Sequence, residues 1–93
     1  MAARVRMYTT TICPYCIRAK ILLKAKGVAY EEINVSGDHD QRAWLVKTTG
    51  LRTVPQIFIN EESIGGFEEM RALDRAGELD AKLAQPATAS AAS

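Results

Sequence analysis

The spacing of apolar positions along the chain switches repeatedly between period two and the three-to-four spacing of a helix, and each switch marks an element boundary. Val5-Arg6-Met7-Tyr8 alternates, predicting a short strand that runs into a Thr9–Ile12 loop. From Tyr15 to Lys26, Cys16, Ala19, Leu22 and Leu23 keep helical spacing, and Gly27 supplies a C-terminal stop. Val28 to Val35 alternates through Tyr30, Ile33 and Val35, predicting a second strand. Asp38 with Gln41 three residues later has capping-box character and opens a helix that ends at Gly50. Gln56-Ile57-Phe58-Ile59 reads as a third strand, Asn60-Glu61-Glu62 as a turn and Ser63-Ile64 as a short fourth strand. Gly65-Gly66 leads into a helix carrying Met70, Leu73 and Ala76; Gly77 ends it, and Leu79 with Leu83 predicts a last short helix. The predicted order is β-α-β-α-β-β-α-α. The first two strands can pair in parallel through a right-handed crossover, and the last two form a hairpin.

Composition narrows this little. With 93 residues, 47% apolar and 25% charged, the chain fits one globular domain. We place it at 1–84, followed by a small-residue tail at 85–93 that is expected to be disordered. A net charge of +1 gives no reason to expect nucleic acid or an anionic membrane as partner. The N-terminus lacks the apolar core of a signal peptide, and no run approaches membrane-spanning length. Met7, Phe58 and Met70 fit core packing, His39 a solvated first turn, and Trp44 a surface position off the Leu45/Val46/Thr49 face.

The candidate chemistry lies in Cys13-Pro14-Tyr15-Cys16, which holds both cysteines of the chain. Because neither is spare for a structural disulfide framework, a reducing cytoplasm is the expected setting. Pro14 suits the first helical position, which puts Cys13 at the helix start, where unpaired N–H groups and the dipole favour a thiolate. Cys16 follows one turn along the same face, within disulfide reach. An unperturbed thiol is only about 3% ionised at pH 7, so full ionisation gives roughly 30-fold more thiolate. Nucleophilicity falls with pKa on a Brønsted slope of about 0.4–0.5, which offsets that gain in attack. The net benefit is to Cys13 as a leaving group. A zinc site is not expected, because His39 is the only histidine to join the two thiols.

Three segments together, Cys13-Pro14-Tyr15-Cys16, Thr53-Val54-Pro55 and Gly65-Gly66-Phe67-Glu68-Glu69, resemble those of the small dithiol glutaredoxins, in the same order and over roughly residues 4 to 84. The resemblance implies an α/β, thioredoxin-like fold: a four-stranded mixed sheet flanked by helices. It implies a glutathione-dependent thiol–disulfide oxidoreductase that acts as a monomer on glutathionylated or disulfide-containing proteins, with glutathione as co-substrate and no metal. Cys13 would be the nucleophile and Cys16 the resolving thiol. Tyr15, Arg52, Thr53, Val54, Pro55, Gly66, Phe67 and Glu68 would bind glutathione. Pro55 would follow a cis peptide bond and pack beside the sulfurs, with Val54 offering its backbone to the glutathione cysteine. The helix start at Gly66 would hold the γ-glutamyl carboxylate, and an acidic side chain there its ammonium.

The chain departs from the family pattern twice. Glu68 and Glu69 stand where Asp is common, and Thr10 stands where a Lys is frequent, leaving Arg52 or Arg42 to supply that charge. Two other functions remain open on the sequence: an iron–sulfur cluster carrier using Cys13 and glutathione, and an electron donor reduced directly by thioredoxin reductase.

Overall fold

A computed structural model describes residues 3–87; most of the expected tail, residues 88–93, lies outside the described residues. The elements are β1 (Val5–Thr9), α1 (Pro14–Ala25), β2 (Glu31–Asn34), α2 (His39–Thr49), β3 (Gln56–Ile59), β4 (Glu62–Gly65), α3 (Phe67–Arg75) and α4 (Leu79–Ala84). The predicted order therefore holds throughout. One strand is shorter than its alternation suggests: β2 begins at Glu31 rather than Val28. Val28 turns its N–H back to the Leu23 carbonyl at 3.4 Å, and Val28 and Tyr30 pack on the core before the strand pairs.

The sheet order is β2-β1-β3-β4. β1 and β2 run parallel, with Arg6 opposite Glu31, while β3 is antiparallel to both β1 and β4. Alternation along β1 and β3 separates two cores. Val5, Met7, Ile57 and Ile59 join Ala19 and Leu23 of α1, Met70 of α3, and Leu79 and Leu83 of α4 on one face. Tyr8 and Phe58 point the other way and meet Leu45 of α2 and Val35, which follows β2. Covered on both sides, β3 is buried at every position. Trp44 is 40% exposed, yet its ring lies 5.7 Å from Tyr8 and 6.1 Å from Phe58, so the sheet aromatics widen the buried face of α2 to include it.

Local chemistry places the helix ends. Asp38 caps α2 by accepting the Gln41 N–H at 3.0 Å, and Gly50 closes it at φ 77°. Between β3 and β4 the register slips by one, since Ile57 faces Gly65 while Phe58 faces Ser63. This bulge swings the chain off the sheet into α3. Asn60, in the β3–β4 turn at φ 57°, accepts the Arg4 N–H at 3.0 Å and donates to the Pro86 carbonyl at 3.2 Å. Ala3 N–H donates to the Leu83 carbonyl at 3.0 Å alongside.

Candidate active site

The site is assembled from three chain segments at one end of the sheet. The first is the β1–α1 connection. Thr11 N–H donates to Ser36 Oγ at 2.8 Å and Asn34 Nδ2 to Thr11 Oγ1 at 3.4 Å, which ties this loop to the end of β2. Thr9 Oγ1 donates to Glu32 Oε2 at 2.8 Å, and Lys20 of α1 pairs with the same oxygen at 2.7 Å. The Lys20 hydrogen bond, opposed by desolvation and assisted by Thr9, holds the Glu32 carboxyl below its usual range. β1, β2 and α1 are thus fixed to one another one turn from the cysteines.

Cys13 is the N-cap of α1, with extended backbone at φ −155°, and Pro14 occupies the first helical position. The Cys13 sulfur accepts the Cys16 N–H at 3.1 Å. The sulfur takes the place that a Ser or Asp oxygen fills in an ordinary cap, so a thiolate here faces a backbone donor as well as the dipole. No acidic residue lies in the first turn of α1 to oppose this. Cys13 and Cys16 are joined as a disulfide, their Cα atoms 5.2 Å apart. Cys16 is 2% exposed and Cys13 9%, so the more accessible sulfur is the one at the helix start.

The second segment is Leu51–Pro55. The Val54–Pro55 peptide is cis, and the Val54 carbonyl oxygen lies 3.8 Å from the Cys13 sulfur. Sequence reading passed over the residue that holds this loop in place. Gln56 is 1% exposed; its Nε2 donates to the Leu51 and Thr53 carbonyls, each at 3.0 Å, and its Oε1 accepts from Thr49 Oγ1 at 2.9 Å. The available signal was a glutamine opening an otherwise apolar strand, since a buried amide requires partners.

The third segment is the start of α3. Gly66 caps it, and Glu69 Oε1 reaches back to accept the Gly66 N–H at 2.7 Å. Glu69 is therefore engaged by its own helix, whereas Glu68 is exposed and 3.9 Å from Arg71. A Cβ on Gly66 would lie 3.3 Å from the Pro55 carbonyl oxygen, so the glycine lets α3 approach the cis-proline loop. The Phe67, Glu68 and Glu69 N–H groups, in the first turn, have no partner within the helix and suit an anion.

These segments enclose a pocket of about 220 Å³ lined by Tyr15, Thr53, Val54, Pro55, Gly66, Phe67, Glu68 and Glu69. Seven of the expected glutathione residues meet there. Arg52 does not line it: with Arg42, whose Nη2 donates to the Arg52 carbonyl at 3.3 Å, it borders a neighbouring hollow of about 170 Å³ that shares Thr53 and Val54. Thr10 stays local, its hydroxyl 3.4 Å from the Ile12 carbonyl.

A dithiol capping a helix, beside a cis-proline loop on a four-stranded mixed sheet, defines a thioredoxin-like thiol–disulfide oxidoreductase. Residues 5–64 match the glutaredoxin family model. The chain is 53% identical over 77 residues to a glutaredoxin of Pseudomonas aeruginosa, an alignment covering 83% of this chain and 92% of that one. Among solved structures, a Brucella melitensis glutaredoxin superposes with a TM-score of 0.80 at 41% identity, over 89% of this chain and 90% of that one. A buckwheat glutaredoxin–glutathione complex does so with a TM-score of 0.81 at 33% identity, over 87% and 76%. The chain belongs to the glutaredoxin family.

Proposed function

We propose that the chain is a glutathione-dependent oxidoreductase that reduces glutathione mixed disulfides and protein disulfides. What carries this reading is the pocket itself. It opens beside the Cys13 sulfur and combines the Val54 backbone, an aromatic wall of Tyr15 and Phe67, and the helix start at Gly66. A tripeptide with a central thiol fits such a surface: its cysteine backbone pairs with Val54 as a short added strand, and its γ-glutamyl carboxylate meets the N–H groups of α3. Glu68, free of the cap, takes the ammonium. Arg52 and Arg42 supply the positive charge for the glycine end from their neighbouring hollow. The chain works as a monomer in a reducing cytoplasm, where glutathione regenerates it, and holds no resident metal.

In the monothiol route the Cys13 thiolate attacks the glutathione sulfur of a mixed disulfide, and the protein thiolate departs and takes a proton from solvent. A second glutathione thiolate then attacks the bound glutathione sulfur, releasing glutathione disulfide and the Cys13 thiolate. On a protein disulfide, Cys13 forms a mixed disulfide with one substrate sulfur while the other leaves. Cys16 then attacks Cys13, freeing the reduced substrate and closing the Cys13–Cys16 disulfide, which two glutathione molecules reopen. The test is glutathione-coupled turnover of a glutathionylated peptide by wild type, Cys13→Ser and Cys16→Ser. Activity lost in Cys13→Ser alone supports the proposal; a wild type that glutathione cannot drive refutes it.

A further inference from the structure

Exposed large apolar side chains are concentrated in the loop before α1 and the first turns of that helix. Of six among the described residues, four fall between positions 12 and 21: Ile12 at 89%, Tyr15 at 51%, Ile17 at 57% and Ile21 at 62%. Ile21 among them lines a groove of about 400 Å³ between α1 and α3. One wall is Arg18, Ile21 and Leu22, spaced i, i+3, i+4; the other is Phe67, Arg71 and Arg75, spaced i, i+4, i+8. The α1 stripe carries one guanidinium beside two apolar side chains, and the α3 stripe one aromatic ring followed by two guanidiniums. The acidic group on the groove lining is Asp74, and it is held by the Lys26 ammonium; Arg71 lies 3.9 Å from Glu68 at the end of the groove, while among the described residues neither Arg18 nor Arg75 forms an ion pair.

The groove is continuous with the dithiol pocket. Phe67 lines both. Its ring lies 6.4 Å from that of Tyr15, over which Arg18 sits at 5.3 Å. A peptide chain whose cysteine sulfur meets Cys13 passes this aromatic pair and runs onto the groove. The α1 wall from Arg18 to Ala25 is about 10 Å long, which matches about three residues of extended chain. We propose that the groove seats the segment flanking the target cysteine of a protein substrate, and that it selects segments rich in acidic and apolar residues. This names the substrate class of the oxidoreductase described above and rests on that reading. The apolar part is covered by Ile21, Leu22 and Phe67, and the acidic part is steered and held by Arg18, Arg71 and Arg75.

The test uses two glutathionylated peptides whose cysteine is flanked on both sides by Leu-Glu-Leu-Glu or by Leu-Lys-Leu-Lys. The mixed disulfide of glutathione and 2-mercaptoethanol, too small to reach the groove, reports basal turnover. At low ionic strength we expect kcat/KM for the acidic peptide to exceed that for the basic one by about tenfold, with the gap narrowing as salt is added. In the double variant Ile21→Ser/Arg75→Glu, both positions exposed and outside the dithiol pocket, the preference falls below about threefold. Turnover of the small disulfide is unchanged. Equal rates for the two peptides in the wild type, or a preference that survives in the variant, overturn the groove. A separate NMR titration with the acidic peptide carrying Ser for Cys reads docking without turnover. Amide shifts confined to the Arg18–Ala25 and Phe67–Arg75 segments support the groove even if glutathione drives no reaction, in which case the proposed function alone is lost. Absence of such shifts overturns it, as does a concentration-dependent dimer that shields the same amides and excludes the peptide.

Discussion

Replacing Gly65 with Ala should unsettle the start of α3 through two separable effects. Gly65 has φ 104°, a backbone that residues with a Cβ rarely adopt, and holding Ala there costs about 1–3 kcal/mol. The added methyl would also stand 2.9 Å from Glu69 Cγ and 3.1 Å from Glu69 Oε1. Glu69 must swing away and give up its 2.7 Å bond to the Gly66 N–H, a cap worth about 1 kcal/mol. The sum is about 2–4 kcal/mol, which for a domain of this size lowers Tm by about 10–30 °C. Urea unfolding of wild type, Gly65→Ala, Glu69→Ala and the double variant separates the two effects. Glu69→Ala alone should lose about 1 kcal/mol. In that background the Cγ and carboxylate are already gone, so Gly65→Ala should cost about 1 kcal/mol less than in the wild type, with the backbone strain remaining. Equal costs in both backgrounds would refute the argument that the glycine is needed to admit the Glu69 cap.

Three further outcomes are expected. Because Lys20 and Thr9 lower the Glu32 carboxyl from its ordinary 4.5, its contribution is complete above that pH and is lost as pH falls through the lower folded value. Urea midpoints of Glu32→Gln should therefore fall less steeply than wild type between about pH 5 and about pH 3, and parallel curves would contradict the assignment. Gln56→Leu leaves the Leu51 and Thr53 carbonyls without their amide partner, costing about 1–3 kcal/mol. As the loop carrying Val54 loosens, KM for a glutathionylated peptide should rise by up to roughly tenfold with kcat little changed; an unaltered KM removes its positioning role. Met70→Ala, at a side chain with no solvent exposure between α3 and the sheet, should cost about 2–5 kcal/mol by urea unfolding, and a loss below about 1 kcal/mol would mean the site collapses freely.

The parts of the fold that could be read from the sequence are those decided by neighbouring residues. Asp38 and Gly50 bracket α2 because a cap and a left-handed closing residue act within one turn. β3 was bounded correctly for a related reason: Pro55 and Asn60 flank a run that is apolar after Gln56 and buried at every position. β2 was read too long because alternation reports burial rather than pairing, and Val28 and Tyr30 are partly buried without yet facing β1. Trp44 shows the same limit. The face of α2 taken alone puts it outside, while Tyr8 and Phe58 on other strands bring it partly in.

In the site, the dithiol and the flanking Thr53–Pro55 and Gly66–Glu68 segments carried recognisable sequence and met in space. The partition between Glu68 and Glu69 did not show, since it turns on which carboxylate reaches back over its own helix start. Gln56 and the Ile17/Ile21 exposure were missed for one reason: periodicity locates the face that is buried, and says nothing of a polar group stapling a loop or of apolar carbon left outside.

Asn60 joins the backbone at Arg4 to the backbone at Pro86, and with the Ala3–Leu83 bond it holds the two extremities of the described residues side by side. Residues 4–86 are in effect a ring with one unsealed joint. A few residues spliced between positions 3 and 87 would close it at small entropic cost, because Arg4 and Pro86 are already held by Asn60. Opening the ring at the exposed Gly37 turn would then yield a polymer that begins with α2 and reaches β1, the dithiol and β2 last. The sheet order β2-β1-β3-β4 could be kept, since the new break falls in a turn outside every strand. What defines this molecule is the set of contacts around Asn60 and the two cores, and the linear order of its elements is only one way of threading them.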